Sequence, residues 1–143
     1  MSAMSEQQTV YDMVGGAPTF KRLVDTFYGK IEQDPELRPV FPPDMEEGKE
    51  GQYLFLMQYF GGPPIYNQQR GHPRLRMRHM PFEIGRHEAD LWLKHMLASV
   101  DEVGIQEPAR SLMREYFLRF AHTMVTRPDK PAPSSIKLNE VKE

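Results

Sequence analysis

The sequence predicts an all-α fold, and three observations carry that reading. Apolar residues recur at helical steps of three and four in four separate stretches. Nowhere do they alternate as a half-buried strand requires. Clusters of proline and glycine punctuate the stretches. With 143 residues, 39% of them hydrophobic, the chain is long enough for one compact core and short for two. One domain is expected over residues 1–127. Residues 128–143, polar and carrying three prolines, read as a disordered C-terminal tail.

A short helical turn is expected around residues 10–14, and Gly15-Gly16 breaks it. Over residues 17–33, Phe20, Leu23, Val24, Phe27, Tyr28 and Ile31 form one buried stripe. Pro35, Pro39, Pro42 and Pro43 then forbid a long helix and make a corner containing Phe41. Residues 46–60 place Gln52, Phe55, Leu56, Tyr59 and Phe60 on one helical face, and Gly61-Gly62-Pro63-Pro64 ends it. Residues 61–72 read as a loop, and a short helix follows over 73–79, closed by Pro81. Residues 83–103 form a long helix with Leu91, Trp92, Leu93, Met96, Leu97, Val100 and Val103 as its apolar set and Gly104 as its stop. Pro108 suits the first turn of a last helix running to about residue 126, with Leu112, Met113, Tyr116, Phe117, Phe120, Met124 and Val125.

The composition excludes several chemistries. With no cysteine there are no disulfides, thiolate nucleophiles, iron–sulfur clusters or thiolate-linked haem. A formal net charge of −2 provides no global field for nucleic acid. No apolar run is long enough to span a bilayer and the polar start lacks signal-peptide features, so a cytoplasmic protein without a membrane span is expected. Against this background RGHPRLRMRH, residues 70–79, stands out: four arginines, two histidines and no acid. As an RNA-binding patch it lacks interleaved aromatics and a neighbouring basic face, so no nucleic-acid partner is expected. An anionic, metal-bearing ligand is the other occupant such a stretch suits.

Five pieces in order carry a family resemblance: YDMVGG (11–16), FY (27–28), QYFGGP (58–63), RGHPRLRMRHMPF (70–82) and the tryptophan of DLWL (90–93). Together they resemble the truncated haemoglobins of group II, over roughly residues 11–125. The resemblance implies a two-over-two helical sandwich around haem b. It makes His79 the proximal iron ligand; a neutral imidazole binds iron well, while its second nitrogen can donate to an acceptor that fixes the ring. On the opposite side it implies that Tyr28, Gln52 and Trp92 donate hydrogen bonds to bound oxygen. Phe41, Phe55, Leu56, Arg76, Arg78 and Met80 complete the implied haem site. Arg74, Arg76 and Arg78 are suited to meet the two haem propionates or to fix the loop through nearby acids; at most one or two should reach the propionates, with the others facing solvent. Gly48 falls where many globins place a distal histidine, one turn before Gln52, and leaves an open path.

The remaining histidines carry weaker signals. His72 has a proline between it and His79 and no carboxylate or thiolate partners for a zinc site. His87 lies among charges and is expected in solvent, and His95 lies eight residues further along the same helix. His122 interrupts an apolar face and is expected as a hydrogen-bonded packing residue. Two functions share the implied pocket. One is an oxygen carrier or store that also binds carbon monoxide and nitric oxide. The other is a haem redox enzyme, a nitric oxide dioxygenase or peroxidase-like, fed by an external reductase, since the chain has no dinucleotide fingerprint. A homodimer is compatible with either.

Overall fold

The computed structural model describes residues 8–71 and 84–125. His79, Met80, Arg74, Arg76, Arg78 and the expected helix over 73–79 lie outside the described residues, as do residues 128–143.

The described elements are helices α1 (Val10–Met13), α2 (Ala17–Glu32), α3 (Glu46–Tyr59), α4 (Ile65–Arg70), α5 (Arg86–Glu102) and α6 (Ala109–Thr123), with a 3-10 turn at Arg38–Val40. No strand occurs among the described residues. The principal packing pairs α2 with α3 and α5 with α6, and α2 against α5 joins the pairs. This is the two-over-two sandwich that the resemblance implies.

Each boundary has a local cause. Thr9 caps α1 by accepting from the Asp12 amide at 3.1 Å, while Asp12 accepts back from the Thr9 amide. The Tyr11 amide donates to the Phe60 carbonyl at 2.8 Å, docking α1 on the end of α3. That docking needs Gly62, where a Cβ would stand 2.6 Å from the Tyr11 ring and 2.9 Å from the Met57 carbonyl. The stripe on α2 is buried as its spacing predicts, with Phe20, Leu23, Phe27 and Ile31 fully enclosed. In the proline-rich corner, Arg38 takes the place of helical bonding by donating to the carbonyls of Phe41, Pro42 and Pro43.

Several side chains depart from the pattern. On α3 the consecutive residues Leu54, Phe55, Leu56 and Met57 are all buried, whereas Tyr59 is 48% exposed. The helix lies between α2, α4 and an internal cavity, so more than one face is covered. On α6, Leu112 is exposed, and so is His122, whose Nδ1 lies 2.9 Å from the Leu118 carbonyl. His122 therefore makes a local hydrogen bond on the surface and does not pack inside. Part of the segment expected as loop, Ile65–Arg70, is helical. One of its amides is held by tertiary contact, Asn67 donating to the Gln58 side-chain oxygen at 2.9 Å. His87 is exposed, 3.3 Å from Glu36. No helix among the described residues is long and apolar enough to cross a membrane.

Candidate functional site

A cavity of about 590 Å³ opens between α2, α3, α5 and α6, within the range of about 300–1,000 Å³ usual for cofactor and ligand sites. Tyr28, Phe41, Gln52, Phe55, Leu56 and Trp92 all line it. The structure thus brings together every sequence-derived site residue that it describes.

Four elements deliver these side chains. Tyr28 comes from the buried stripe of α2, Phe41 from the corner, Gln52, Phe55 and Leu56 from α3, and Trp92 from α5. Phe27 joins two of them: its ring meets Tyr28 edge-on at 5.6 Å and Trp92 edge-on at 5.3 Å. Phe41 also meets Tyr28 edge-on, at 5.9 Å. Trp92 also touches Phe120 at 5.4 Å and Phe117 at 6.0 Å, so its indole is fixed from three directions.

Burial pushes the Tyr28 phenol up to about 12, so it stays a neutral O–H donor throughout the physiological range. Gly48 lines the cavity beside it, and a Cβ there would meet the Tyr28 oxygen at 3.5 Å, an ordinary contact. The Gln52 Oε1 atom is buried with no hydrogen-bond partner among the described residues. Leaving such an atom unpaired costs about 1–3 kcal/mol, and since the two ends of a carboxamide are nearly the same size, either can turn toward a ligand.

Further wall residues were not singled out from the sequence. Tyr66 and Arg70 on α4, and Tyr116, Phe117, Phe120 and Met124 at the far side, complete the lining. Those of the last helix were legible only as core residues, because helical spacing does not tell a cavity wall from a packed interior. Arg70 stands in the basic stretch, at the end for which the sequence predicts a loop. Burial raises the Tyr116 phenol well above its ordinary value.

The wall suits the group that the resemblance implies. Haem is a flat, mainly apolar macrocycle with two carboxylates. Its described lining offers aromatic and aliphatic surfaces, the Gln52 carboxamide and the guanidinium of Arg70.

Comparison with known proteins agrees with this geometry. The bacterial-like globin family profile matches residues 9–126. The group 2 truncated hemoglobin YjbI of Bacillus subtilis is 44% identical over 98 residues, covering 68% of this chain and 74% of its own. The crystal structure of a hemoglobin from the thermophilic phototrophic bacterium Chloroflexus aurantiacus superposes with a TM-score of 0.83 at 58% identity, over 85% of this chain and 100% of that one. A truncated oxygen-avid haemoglobin from Bacillus subtilis superposes with a TM-score of 0.78 at 40% identity, over 82% of this chain and 99% of that one. Fold, cavity and sequence agree, and the chain belongs to the bacterial-like globin family as a group II truncated haemoglobin.

Proposed function

We propose that this chain binds haem b in the cavity, with His79 as the proximal iron ligand, and carries or stores oxygen in the cytoplasm. The observation that carries the reading is the convergence of Tyr28, Gln52 and Trp92, from three helices, on one largely apolar cavity, with the Gln52 carboxamide oxygen buried and without a partner among the described residues. The oxygen avidity stated for the Bacillus subtilis relative favours the same gas.

Haem iron supplies reversible coordination of a diatomic gas. The chain's own residues supply selectivity. The Tyr28 hydroxyl, the Gln52 amide and the Trp92 indole N–H are donors to a ligand that gathers negative charge, as oxygen does and carbon monoxide does less. Their aromatic supports keep the donors placed before the gas arrives, so little ordering entropy is lost on binding. Phe41, Phe55 and Leu56 keep bulk water from competing for the same donors.

The test is the visible spectrum of the purified protein supplied with haem, recorded after reduction and again under oxygen and under carbon monoxide. Distinct oxygen and carbon monoxide complexes are expected. A colourless protein that takes up no added haem would overturn the proposal.

A further inference from the structure

We infer that Arg38 is a positioning residue for the distal donor Tyr28: it clamps the corner at residues 41–43, and that corner sets where the Tyr28 hydroxyl is held. What this means for bound gas rests on the haem reading above. Leu37, Val40, Phe41, Pro42 and Asp44 all line the cavity, so the corner between α2 and α3 forms one of its walls. Pro42 and Pro43 have no N–H, and a chain without amides cannot hold itself by a regular backbone ladder. Arg38 supplies donors instead: Nη1 to the carbonyls of Phe41 at 3.3 Å and Pro42 at 3.0 Å, and Nη2 to that of Pro43 at 2.9 Å.

The clamp ties the corner back to the helix that carries the donor. Arg38 Nε lies 3.8 Å from Glu32, the last residue of α2 and one turn beyond Tyr28. At the other end of the clamp, Phe41 meets the Tyr28 ring edge-on, with ring centres 5.9 Å apart. One guanidinium thus joins the helix of Tyr28 to the backbone of an aromatic residue that packs on it. Three successive carbonyls call for a planar fork; a lysine, with its donors on one nitrogen, cannot span them. The Arg38 side chain is 26% exposed, so water competes only in part for these bonds. Without them Phe41 moves off with the corner, and the phenol loses one of the two phenylalanine rings that fix its plane.

The test compares wild type with Arg38→Met, Arg38→Lys and Glu32→Gln in two measurements. In the haem-free proteins, amide hydrogen exchange over residues 41–48 should be about tenfold faster in Arg38→Met than in wild type, with α6 unchanged. In the haem-loaded proteins, the carbon monoxide stretching band should broaden or split in Arg38→Met. Oxygen should leave that variant about three- to tenfold faster, a part of what a whole hydrogen bond contributes, with carbon monoxide release within about twofold of wild type. Arg38→Lys keeps the charge, should show the same changes at smaller size, and carries the comparison where Arg38→Met does not fold. Glu32→Gln keeps all three carbonyl bonds and an acceptor beside Nε, and should stay near wild type. Corner exchange in the Arg38 variants equal to that of wild type would overturn the clamp. Faster corner exchange with an unchanged band and unchanged oxygen release would overturn the positioning role and leave Arg38 a structural residue of the corner. Failure of wild type to take up haem would instead overturn the haem reading, with the exchange measurement still deciding the clamp.

Discussion

His95 Nε2 lies 2.7 Å from Asp34 Oδ2, a pairing across 61 residues that joins α5 to the turn after α2. The other Asp34 oxygen accepts from the amides of Glu36 and Leu37 at 2.9 and 3.2 Å. One carboxylate thereby holds the start of the corner that carries Leu37, Val40 and Phe41 to the cavity, and ties it to the helix that carries Trp92. Both side chains are mostly buried, at 12% and 17% exposure.

This carboxylate should make the fold acid-sensitive. The His95 hydrogen bond, with help from the two backbone amides, holds the Asp34 carboxyl below its ordinary value. A carboxyl so lowered stabilises the fold fully above its unfolded pKa, near 4, and that contribution is lost as pH falls through the lower folded value. Asp34→Asn should cost about 1–2 kcal/mol at neutral pH, with the gap to wild type closing below about pH 4. Urea unfolding across that range checks it; a gap that does not change with pH would remove the carboxylate from the explanation.

The iron ligand has a direct test. His79→Gly should weaken haem retention, and added imidazole should restore it in part by occupying the space left by the side chain. A haem spectrum identical to that of wild type without imidazole would rule His79 out.

The distal donors should retain oxygen more than carbon monoxide. A hydrogen bond to a partly charged group contributes about 1.5–3 kcal/mol, or roughly a 10- to 150-fold change in an equilibrium constant. Tyr28→Phe and Trp92→Phe can each fall short of this if a remaining donor reorients, while the double variant should exceed the sum of the two. Stopped-flow release of both gases from all four proteins decides the matter. Equal acceleration for the two gases would mean that these residues act by packing.

Gln52→Leu should separate stability from function. Removing the unpartnered oxygen of Gln52 relieves a cost of about 1–3 kcal/mol, so the haem-free variant should melt a few degrees higher than wild type. Oxygen should leave its haem-loaded form faster. A lower melting temperature would show that Gln52 is satisfied in solution.

Gly48 and size should show a threshold. Gly48→Ala adds a methyl at ordinary contact distance from the Tyr28 hydroxyl within α3, and should stabilise the helix by about 0.5–1 kcal/mol without slowing gas entry. Gly48→Leu extends into the cavity and should slow oxygen association severalfold in flash photolysis. Unchanged association in the leucine variant would place the entry path elsewhere.

The helices of the sandwich were legible because their apolar spacing matches one buried stripe, most completely on α2. Elements governed by tertiary contact were not. The helix Ile65–Arg70 has no strong period of its own and is held by the Gln58 side chain. Tyr59 sits at a core-like position yet stands half exposed against Tyr116, at 4.2 Å between ring centres. In the site, Tyr28, Gln52 and Trp92 could be named from a motif match, but their convergence depends on how four helices cross. His95 drew notice only as one of two histidines on a helix, and nothing in the sequence pointed to Asp34. Arg70 was visible as charge in the basic stretch, while its place on the cavity wall depends on how α4 packs against α3.

Trp92 is the chain's single tryptophan, and it is 5% exposed in the wall of the cavity. All indole fluorescence therefore originates at one point, beside whatever fills that space. A strongly absorbing macrocycle there would drain the excited state by energy transfer, and its departure would restore the emission. The molecule carries its own occupancy gauge, readable in unmodified protein without a label, and one that reports the cavity apart from the surface.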